Sequence, residues 1–412
     1  MTSGAAVQVG ERPLDSPAAD AVDTPAGGAS RRITLVISAL GIGGAERVMA
    51  ALANRWAEAG WHVTIVTFSS PGDPTFFVLD DRVTQRQLNL FAGSRNRIEG
   101  VLKNVRRVRS LRRAIAATRP DVVLAFLDRT NVLTLLATVR HPWPVVVSER
   151  SAPHAGPGRG WGLLRSLSYR RARRIVVQTS AARQALPSAI APLIEVIPNP
   201  VLAPRETETT ERPAERAAAS GAPVVALGRF VRDKGFDLLI EAFAKVAATR
   251  PDARLVIWGD GPERAALEAR RHELGLDEAV AMPGTTRTPE DALRRASLFV
   301  LSSRVEGFPN GLLEAMSHGV PAVAFDCRHG PAEIVRDGTD GILVPAEDVD
   351  ALAAAIGLVL DDDDRRAEMG RRATEVRERF SFERIGPLWD GLIAEVLAES
   401  SRRRAPGAVA SS

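Results

Sequence analysis

Short runs of apolar, often β-branched residues alternate along the chain with stretches in which apolar positions recur every three or four residues, so strands and helices are predicted to take turns. Ile33-Thr-Leu-Val-Ile-Ser38 reads as a buried strand, Gly41-Ile-Gly-Gly44 as a turn, and about Ala45 to Ala59 as a helix that Gly60 ends. His62-Val-Thr-Ile-Val-Thr-Phe68 then supplies the next strand and completes a βαβ unit. The spacing of Ile98, Val101, Leu102, Val105, Val108, Leu111 and Ile115 predicts a helix over 98–118 with these residues on its inner face and its arginines outside. Val122–Phe126, Val145–Ser148 and Ile175–Gln178 are apolar throughout, as strands of a parallel sheet covered on both faces must be.

The period fails from Ile197-Pro-Asn-Pro200 to Ala222, which is rich in Pro, Glu and Thr and reads as an inter-domain connection. A second alternation follows: strands at 224–227, 254–258, 279–282 and 298–302, helices near 236–249, 263–274 and 289–296. The fold class expected is therefore α/β, two Rossmann-like domains facing a cleft. The expected boundaries are 31–200 for the first domain, 201–222 for the linker and 223–385 for the second domain. A helix over 386–399 is expected to pack back on the first domain. Residues 1–30 and 400–412 carry no period and are expected to be a disordered leader and tail.

Composition narrows the class. Hydrophobic residues at 45% and charged residues at 25% suit a globular protein. No apolar run reaches the roughly 18 to 20 residues of a membrane span, and the N-terminus lacks the basic-then-apolar order of a signal peptide, so a cytoplasmic location is expected. One cysteine, Cys327, leaves no internal disulfide and no Cys-rich metal site. The net charge of +4 is unevenly spread: residues 31–200 hold 25 Lys and Arg against 10 Asp and Glu. Much of this excess lies in Lys103–Arg113 and Arg165–Arg174. Either these runs are solvated helix faces, or they meet the phosphates of an anionic membrane surface or of a lipid-phosphate acceptor. A nucleic-acid binder is disfavoured because only 5% of residues are aromatic and few can stack on bases. Asp361–Asp364 reads as a solvated turn and helix start rather than a metal cluster.

Two constellations carry chemistry. Gly228-Arg229-Phe-Val-Arg-Asp-Lys234-Gly235 follows a strand and leads into a helix, so Arg229 and Lys234 can share one anion with free backbone amides; a pair of ordinary surface cations is the other reading. Ser303-Arg-Val-Glu306-Gly-Phe-Pro-Asn310-Gly311-Leu-Leu-Glu314 follows a second strand and places one carboxylate in the loop and another in the helix that Asn310 opens and Gly319 closes. Two such acids can hold two hydroxyl-bearing parts of one ligand; the rival reading is the acid pair of a glycoside hydrolase.

The ordered series LGRF, DKGFDLLIEAF, LVIWGDGPE, ASLFVLSSRVEGFPNGLLEAMSHGVPAVAFDC and GPAEIVRDGTDGILV resembles glycosyltransferase family 4, whose members are retaining enzymes with the GT-B fold. Gly41-Ile-Gly-Gly-Ala-Glu-Arg47 is similar to that family's first glycine loop, so the resemblance spans most of residues 31–395. It implies transfer of a hexose or N-acetylhexosamine from a nucleotide-diphosphate sugar, UDP-sugar favoured over GDP-mannose, to a glycan, glycolipid, lipid-linked saccharide or specialised metabolite. It implies that Arg229 and Lys234 bind the donor diphosphate, that Glu306 contacts the donor sugar and that Glu314 holds the ribose. It also implies that Gly307, Phe308, Pro309, Asn310 and Gly311 cradle sugar and phosphate, that Gly43 and Gly44 admit the diphosphate, and that Met282 lies near the nucleotide. No cofactor and no metal are expected, since no Asp-x-Asp motif stands in a suitable loop.

Many family members carry a histidine at the strand end occupied here by Ser148-Glu149-Arg150, which resembles the bacterial polysaccharide and lipid-linked glycan subgroup. Glu149 and Arg150 are thus candidate sugar or acceptor contacts, and the enzyme is expected to rest on the inner membrane face. His154 and His318 are expected to be structural. An epimerase of the same fold is the alternative within sugar-nucleotide chemistry, and the two-glutamate series argues against it.

Overall fold

The computed structural model describes residues 30–41, 43–90, 97–150, 159–201 and 222–404. The first sheet contains β1 (Arg32–Ile37), β2 (His62–Thr67), β3 (Thr84–Gln87), β4 (Val122–Phe126), β5 (Val145–Ser148), β6 (Arg174–Val177) and β7 (Ile194–Val196) in the order β3-β2-β1-β4-β5-β6-β7. Helices α1 (Gly44–Glu58), α2 (Arg97–Thr118), α3 (Asp128–Ala137), α4 (Arg159–Tyr169) and α5 (Ser180–Gln184) accompany it. The second sheet holds β8 (Val224–Leu227), β9 (Leu255–Trp258), β10 (Val280–Gly284), β11 (Leu298–Leu301), β12 (Ala322–Asp326) and β13 (Gly341–Pro345) in the order β10-β9-β8-β11-β12-β13. Its helices are α6 (Phe236–Thr249), α7 (Arg264–Glu273), α8 (Pro289–Arg294), α9 (Asn310–Ser317), α10 (Pro331–Ile334), α11 (Val349–Asp361), α12 (Asp363–Ala373) and α13 (Val376–Arg379).

All named strand pairs are parallel, and alternate residues of one strand feed two different cores. Leu35 packs with Trp56 and Trp61 on one side of the first sheet, while Val36 packs with Leu111 and Ile115 on the other. That is why these strands read as unbroken apolar runs rather than as a polar–apolar alternation. In both sheets the strand order reverses direction beside the first strand of the domain, between β1 and β4 and between β8 and β11. Loops at the C-terminal ends of such strands part to opposite faces of the sheet and leave a crevice.

The chain crosses between domains twice, side by side: the Val201 amide donates to the Phe380 carbonyl at 2.8 Å. The last helix, α14 (Phe382–Arg404), therefore starts before the boundary expected at 385. Its Ile385, Trp389, Leu392, Ile393 and Val396 enter the first domain's core. Asp390 accepts from Arg55 at 2.8 and 2.6 Å and from the Trp56 indole at 2.9 Å. The helix runs on through 400–404, residues expected in the tail, because Glu399 pairs with Arg173 and Arg174 at 2.6 and 2.5 Å. Residues 1–29 of the expected leader, most of the linker (202–221), residues 405–412 of the expected tail and His154 lie outside the described residues.

The inner face expected for α2 holds for Leu111 and Ile115, which are fully buried, but not for Leu102 and Val105, which are 65% and 41% exposed. The reason is angular: at 3.6 residues per turn Leu102 lies on the side of α2 opposite Leu111, and Val105 is turned toward the side of Leu102, which also carries the exposed Arg106, Arg109 and Arg113. The arginine runs are also divided: Arg107 and Arg112 donate to the carbonyls of Leu90 and Ala137, and Arg165 turns inward. Asp361–Asp364 is a helix junction, where the Asp362 carboxylate caps α12 by accepting from the Arg365 amide at 2.9 Å.

Candidate active site

The loops after β8 and β11, the pair flanking the second sheet's crevice, are locked together. Gly235 ends the short turn after β8 with φ 61°, a left-handed conformation, and a Cβ there would sit 2.0 Å from the Ser302 carbonyl oxygen. Only glycine lets the two loops touch. Arg304 reinforces the contact by donating to Asp237 at 2.7 and 2.6 Å and to Glu347 at 3.0 Å.

Held this way, the Lys234 Nζ lies 2.6 Å from Glu306 Oε1, an oxygen that also accepts from the Ser303 hydroxyl at 2.6 Å. Glu306 is only 7% exposed, so this partner pair is what allows a carboxylate to remain there. Arg229 stands exposed at the end of β8 and, among the described residues, makes no ion pair. The site therefore offers one paired cation and one open one at a strand-to-helix turn, a combination suited to a diphosphate. Cys327 is buried nearby; burial, with the Glu306 charge beside it, pushes its thiol up to about 12, so it stays protonated.

Opposite these loops stands the glycine turn after β1. A Cβ on Gly44 would fall 1.8 Å from the Asn310 side-chain nitrogen, so α1 and α9 approach closely because residue 44 has no side chain. Gly43, in extended conformation, lies against the Glu46 carboxylate. Arg47, one helical turn on, reaches across the cleft to Glu314 at 2.5 Å. Burial raises the Glu314 pKa above the ordinary carboxylate range, Arg47 opposes that shift and Glu290 adds to it. Lower in the cleft Asn199 donates to the Asn310 side-chain oxygen at 2.9 Å, and Glu333 of α10 accepts from the Ser180 amide at 2.6 Å.

Residues singled out from the sequence divide into three groups. Arg229, Lys234, Glu306, Asn310, Glu314 and Gly44 converge on the cleft. Gly43, Gly307, Pro309 and Gly311 shape its turns, whereas Phe308 belongs to the core, edge-on to Phe380 with ring centroids 6.0 Å apart. Met282 does not face the site. It is 8% exposed within the second core, because inward positions of β10 alternate with outward ones.

The neighbours Glu149 and Arg150 separate. Glu149 is 2% exposed and turns into the first domain, where it accepts from the Tyr169 hydroxyl at 2.7 Å and lies 3.7 Å from Arg165. It is not a cleft residue, and that corrects the expected sugar or acceptor contact. The physical reason is that successive side chains leaving a strand point to opposite faces. Burial and the Glu149 charge raise the Tyr169 phenol well above its ordinary value. Arg150 instead faces the cleft, stacked 4.0 Å over the Phe126 ring, donating to Ser148 Oγ at 2.9 Å and to Asn199. Burial draws its pKa down to about 9, with the Glu46 charge opposing. Arg47 and Asn199 carry no assigned role in the sequence reading. Arg47 was visible inside the glycine motif, but Asn199 sat in what reads as a linker. His318 closes α9 as its C-cap, in keeping with a structural role.

Comparison with known proteins gives the same division of the chain. The model described as Glycosyltransferase Family 4 matches residues 42–202, and that described as Glycosyl transferases group 1 matches residues 208–376. An exopolysaccharide phosphotransferase of Streptomyces coelicolor is 38% identical over 236 residues, 56% of this chain, which spans only 24% of that relative's length. A Campylobacter jejuni enzyme named GalNAc-alpha-(1->4)-GalNAc-alpha-(1->3)-diNAcBac-PP-undecaprenol alpha-1,4-N-acetyl-D-galactosaminyltransferase is 26% identical over 89% of this chain and 99% of its own. Among solved structures, Anabaena HepE in complex with UDP and glucose superposes with a TM-score of 0.70 at 19% identity, over 90% of this chain and 100% of that one. The two family models together take in both walls of the cleft, and the chain belongs to the family 4, group 1 glycosyltransferases of the GT-B fold.

Proposed function

We propose that the protein transfers a hexose or N-acetylhexosamine, with retention and without a metal ion, from a UDP-sugar to a hydroxyl of a lipid-linked or polymeric glycan. The observation that carries this reading is the convergence of Lys234, Arg229 and Glu306 on the crevice flanked by β8 and β11, faced by Gly44 and Arg47. When the bond from the sugar's C1 to the β-phosphate oxygen breaks, negative charge grows on the departing diphosphate. Lys234 and Arg229 meet that charge in fixed positions, and such preorganised groups are worth about 10² to 10³ in rate each. They take the place a metal ion would otherwise fill.

Glu306, oriented by Lys234 and Ser303, accepts from sugar hydroxyls, and the second oxygen of Glu314 accepts from the ribose. The acceptor oxygen bonds to C1 on the face the diphosphate leaves, and its proton passes to the departing phosphate oxygen. No protein base is needed, in keeping with a strand end that carries Arg150 where a histidine stands in many relatives. The α-linked product in the Campylobacter relative's name supports retention, because common UDP-hexoses are themselves α-linked. The UDP bound by Anabaena HepE supports the donor, and the undecaprenol-linked acceptor in the relative's name supports a lipid-borne acceptor.

The test is donor hydrolysis in the presence of EDTA with UDP-glucose, UDP-galactose, their N-acetyl forms and GDP-mannose, followed by NMR of the released or transferred sugar's anomeric configuration. The expected result is metal-free UDP release from one UDP-sugar, with the α-anomer formed first. Release that EDTA abolishes, or an initial β-anomer, overturns the proposal.

A further inference from the structure

The crevice of the first domain has walls of opposite charge. Glu46 stands in the first turn of α1, after β1, and Arg150 just past the end of β5, with β4 running between those two strands. Strands two places apart in a sheet are about 10 Å apart, so the two side chains flank the end of β4, whose Phe126 ring lies under the guanidinium. Each feels the other's charge, yet among the described residues no ion pair joins them. An acid left single is unexpected here, because residues 31–200 hold 25 Lys and Arg against 10 Asp and Glu.

The place of Glu46 is built into the glycine turn. Gly43 is extended, with φ 179°, a backbone any residue adopts, so conformation does not call for glycine there. Space does: a Cβ on Gly43 would fall 2.2 Å from Glu46 Oε2. The carboxylate thus takes the room of a missing side chain and turns back toward the loop. An acid in a first helical turn ordinarily serves the helix dipole from a hydrated position. Here burial is the largest effect and raises the Glu46 pKa above the ordinary carboxylate range, with its own amide and Arg150 opposing. Arg150 is also incompletely used. Its Nε and Nη1 donate to Ser148 and Asn199, while Nη2 is buried with no hydrogen-bond partner among the described residues. A buried donor without a partner is costly and calls for an explanation.

An unspent acceptor and an unspent donor that do not meet each other suit a group that is both, and a sugar hydroxyl is such a group. We infer that Glu46 and Arg150 hold the acceptor of the reaction, an uncharged hexopyranoside one of whose hydroxyls lies between them, donating to the carboxylate and accepting from the guanidinium. An anionic sugar is disfavoured at this place, because its carboxylate would have to leave water beside Glu46. The link to catalysis rests on the function proposed above: fixing one hydroxyl fixes the ring, and with it the neighbouring oxygen that attacks C1. The proton of the attacking oxygen still goes to the departing phosphate, so Glu46 binds and orients without taking it. Arg150 ties this place to the donor half, because its partner Asn199 donates to Asn310 at the start of α9. Binding of the sugar itself does not depend on that reading.

Saturation-transfer NMR on the full chain, with and without UDP, tests it using the methyl α-glycosides of glucose, galactose, N-acetylglucosamine and N-acetylgalactosamine beside methyl α-glucuronide and methyl α-galacturonide. Wild type is expected to bind at least one neutral glycoside, and more tightly than either uronide. Glu46→Gln is expected to weaken that neutral glycoside about tenfold or more and to narrow or reverse its margin over the uronides, since the like charge is gone. Gly43→Ala is expected to weaken the same glycoside to a similar degree, because the extended backbone accepts alanine while the new Cβ displaces the carboxylate. Circular dichroism should match wild type in both variants, and UDP affinity by calorimetry should match it in Glu46→Gln. If no neutral glycoside binds wild type, if the uronides bind better, or if Glu46→Gln leaves affinity and margin unchanged, the inference is wrong. An equal loss for neutral and anionic glycosides also overturns it, since that reports only a disturbed helix start. Donor turnover by a protein that fails these tests would sink this assignment alone, and glycoside binding through Glu46 without turnover of any donor would sink the proposed function alone.

Discussion

Arg47 in the first turn of α1 and Glu314 in α9, 267 positions apart in the chain, meet at 2.5 Å and join the two domains across the cleft. Both side chains keep about a quarter of their surface in contact with solvent, so the pair is partly screened and its removal should cost about 1 kcal/mol in donor affinity. Arg47→Ala is expected to weaken UDP binding five- to tenfold by calorimetry and to enlarge the radius of gyration of the ligand-free protein in X-ray scattering. Unchanged values in both experiments would show that the bridge does not hold the domains together.

The same pair sets a pH dependence. Burial, the largest effect on Glu314, raises its folded-state pKa, so its ionised form costs stability above that pKa and the cost disappears as pH falls through it. UDP affinity should follow the opposite course, because a protonated Glu314 loses both Arg47 and an acceptor for the ribose. The acid limb of UDP binding is expected above the ordinary carboxylate value of about 4.3. Arg47→Ala should move it to still higher pH, since Arg47 lowers that pKa. Glu314→Gln should remove it; an acid limb that survives in this variant belongs to another group.

Lys234→Ala is expected to slow UDP release from the preferred donor by about 10² to 10³ and also to lower the melting temperature, because it leaves the buried Glu306 carboxylate held by Ser303 alone. Single-turnover kinetics separate this from a binding defect. A loss confined to KM would place Lys234 on the ground-state donor and remove it from charge stabilisation.

Two glycines should give contrasting results when changed to alanine. At Gly235 both the left-handed backbone and a carbonyl oxygen 2.0 Å from the new Cβ oppose the change, so the second domain should lose about 2 kcal/mol or more and melt earlier. At Gly44 the obstacle is the end of the Asn310 side chain in the other domain. Gly44→Ala should therefore leave thermal unfolding near wild type and reduce donor turnover by preventing the close approach of α1 and α9. Loss of stability at Gly44 as large as that at Gly235 would contradict this division.

Truncation after residue 381 is expected to unfold the first domain although it removes only the end of the chain. Trp389 is fully buried beside Phe126, and Trp389→Ala alone should cost about 3 to 5 kcal/mol. Urea denaturation followed by hydrogen exchange of β1 and β4 reports it; intact protection of those strands in the truncated protein would mean that α14 only decorates the surface.

Local patterns were enough to find β1, β2, β4, β5 and β6 of the first sheet, β8, β9, β10 and β11 of the second and the two motifs that form the second domain's half of the cleft, but not the outer strands β3, β7, β12 and β13. Apolar runs must be buried on both sides, and a glycine turn between strand and helix presents amides, so these features depend on neighbours within about ten residues. Asp361–Asp364 was legible as a helix junction for the same reason. Other features depend on what a distant part of the chain supplies. Only the packed structure sends Glu149 into the core and Arg150 into the cleft, since adjacent strand residues look alike in sequence but face opposite ways. Only it joins Arg47 to Glu314 and Asn199 to Asn310, because both pairs form where two domains close on each other. It also decides that Met282 fills a core and that Leu111 and Ile115 of α2 meet the sheet while Leu102 and Val105 stay outside, because apolar residues stand on more than one side of that helix and the pattern alone does not say which side is covered.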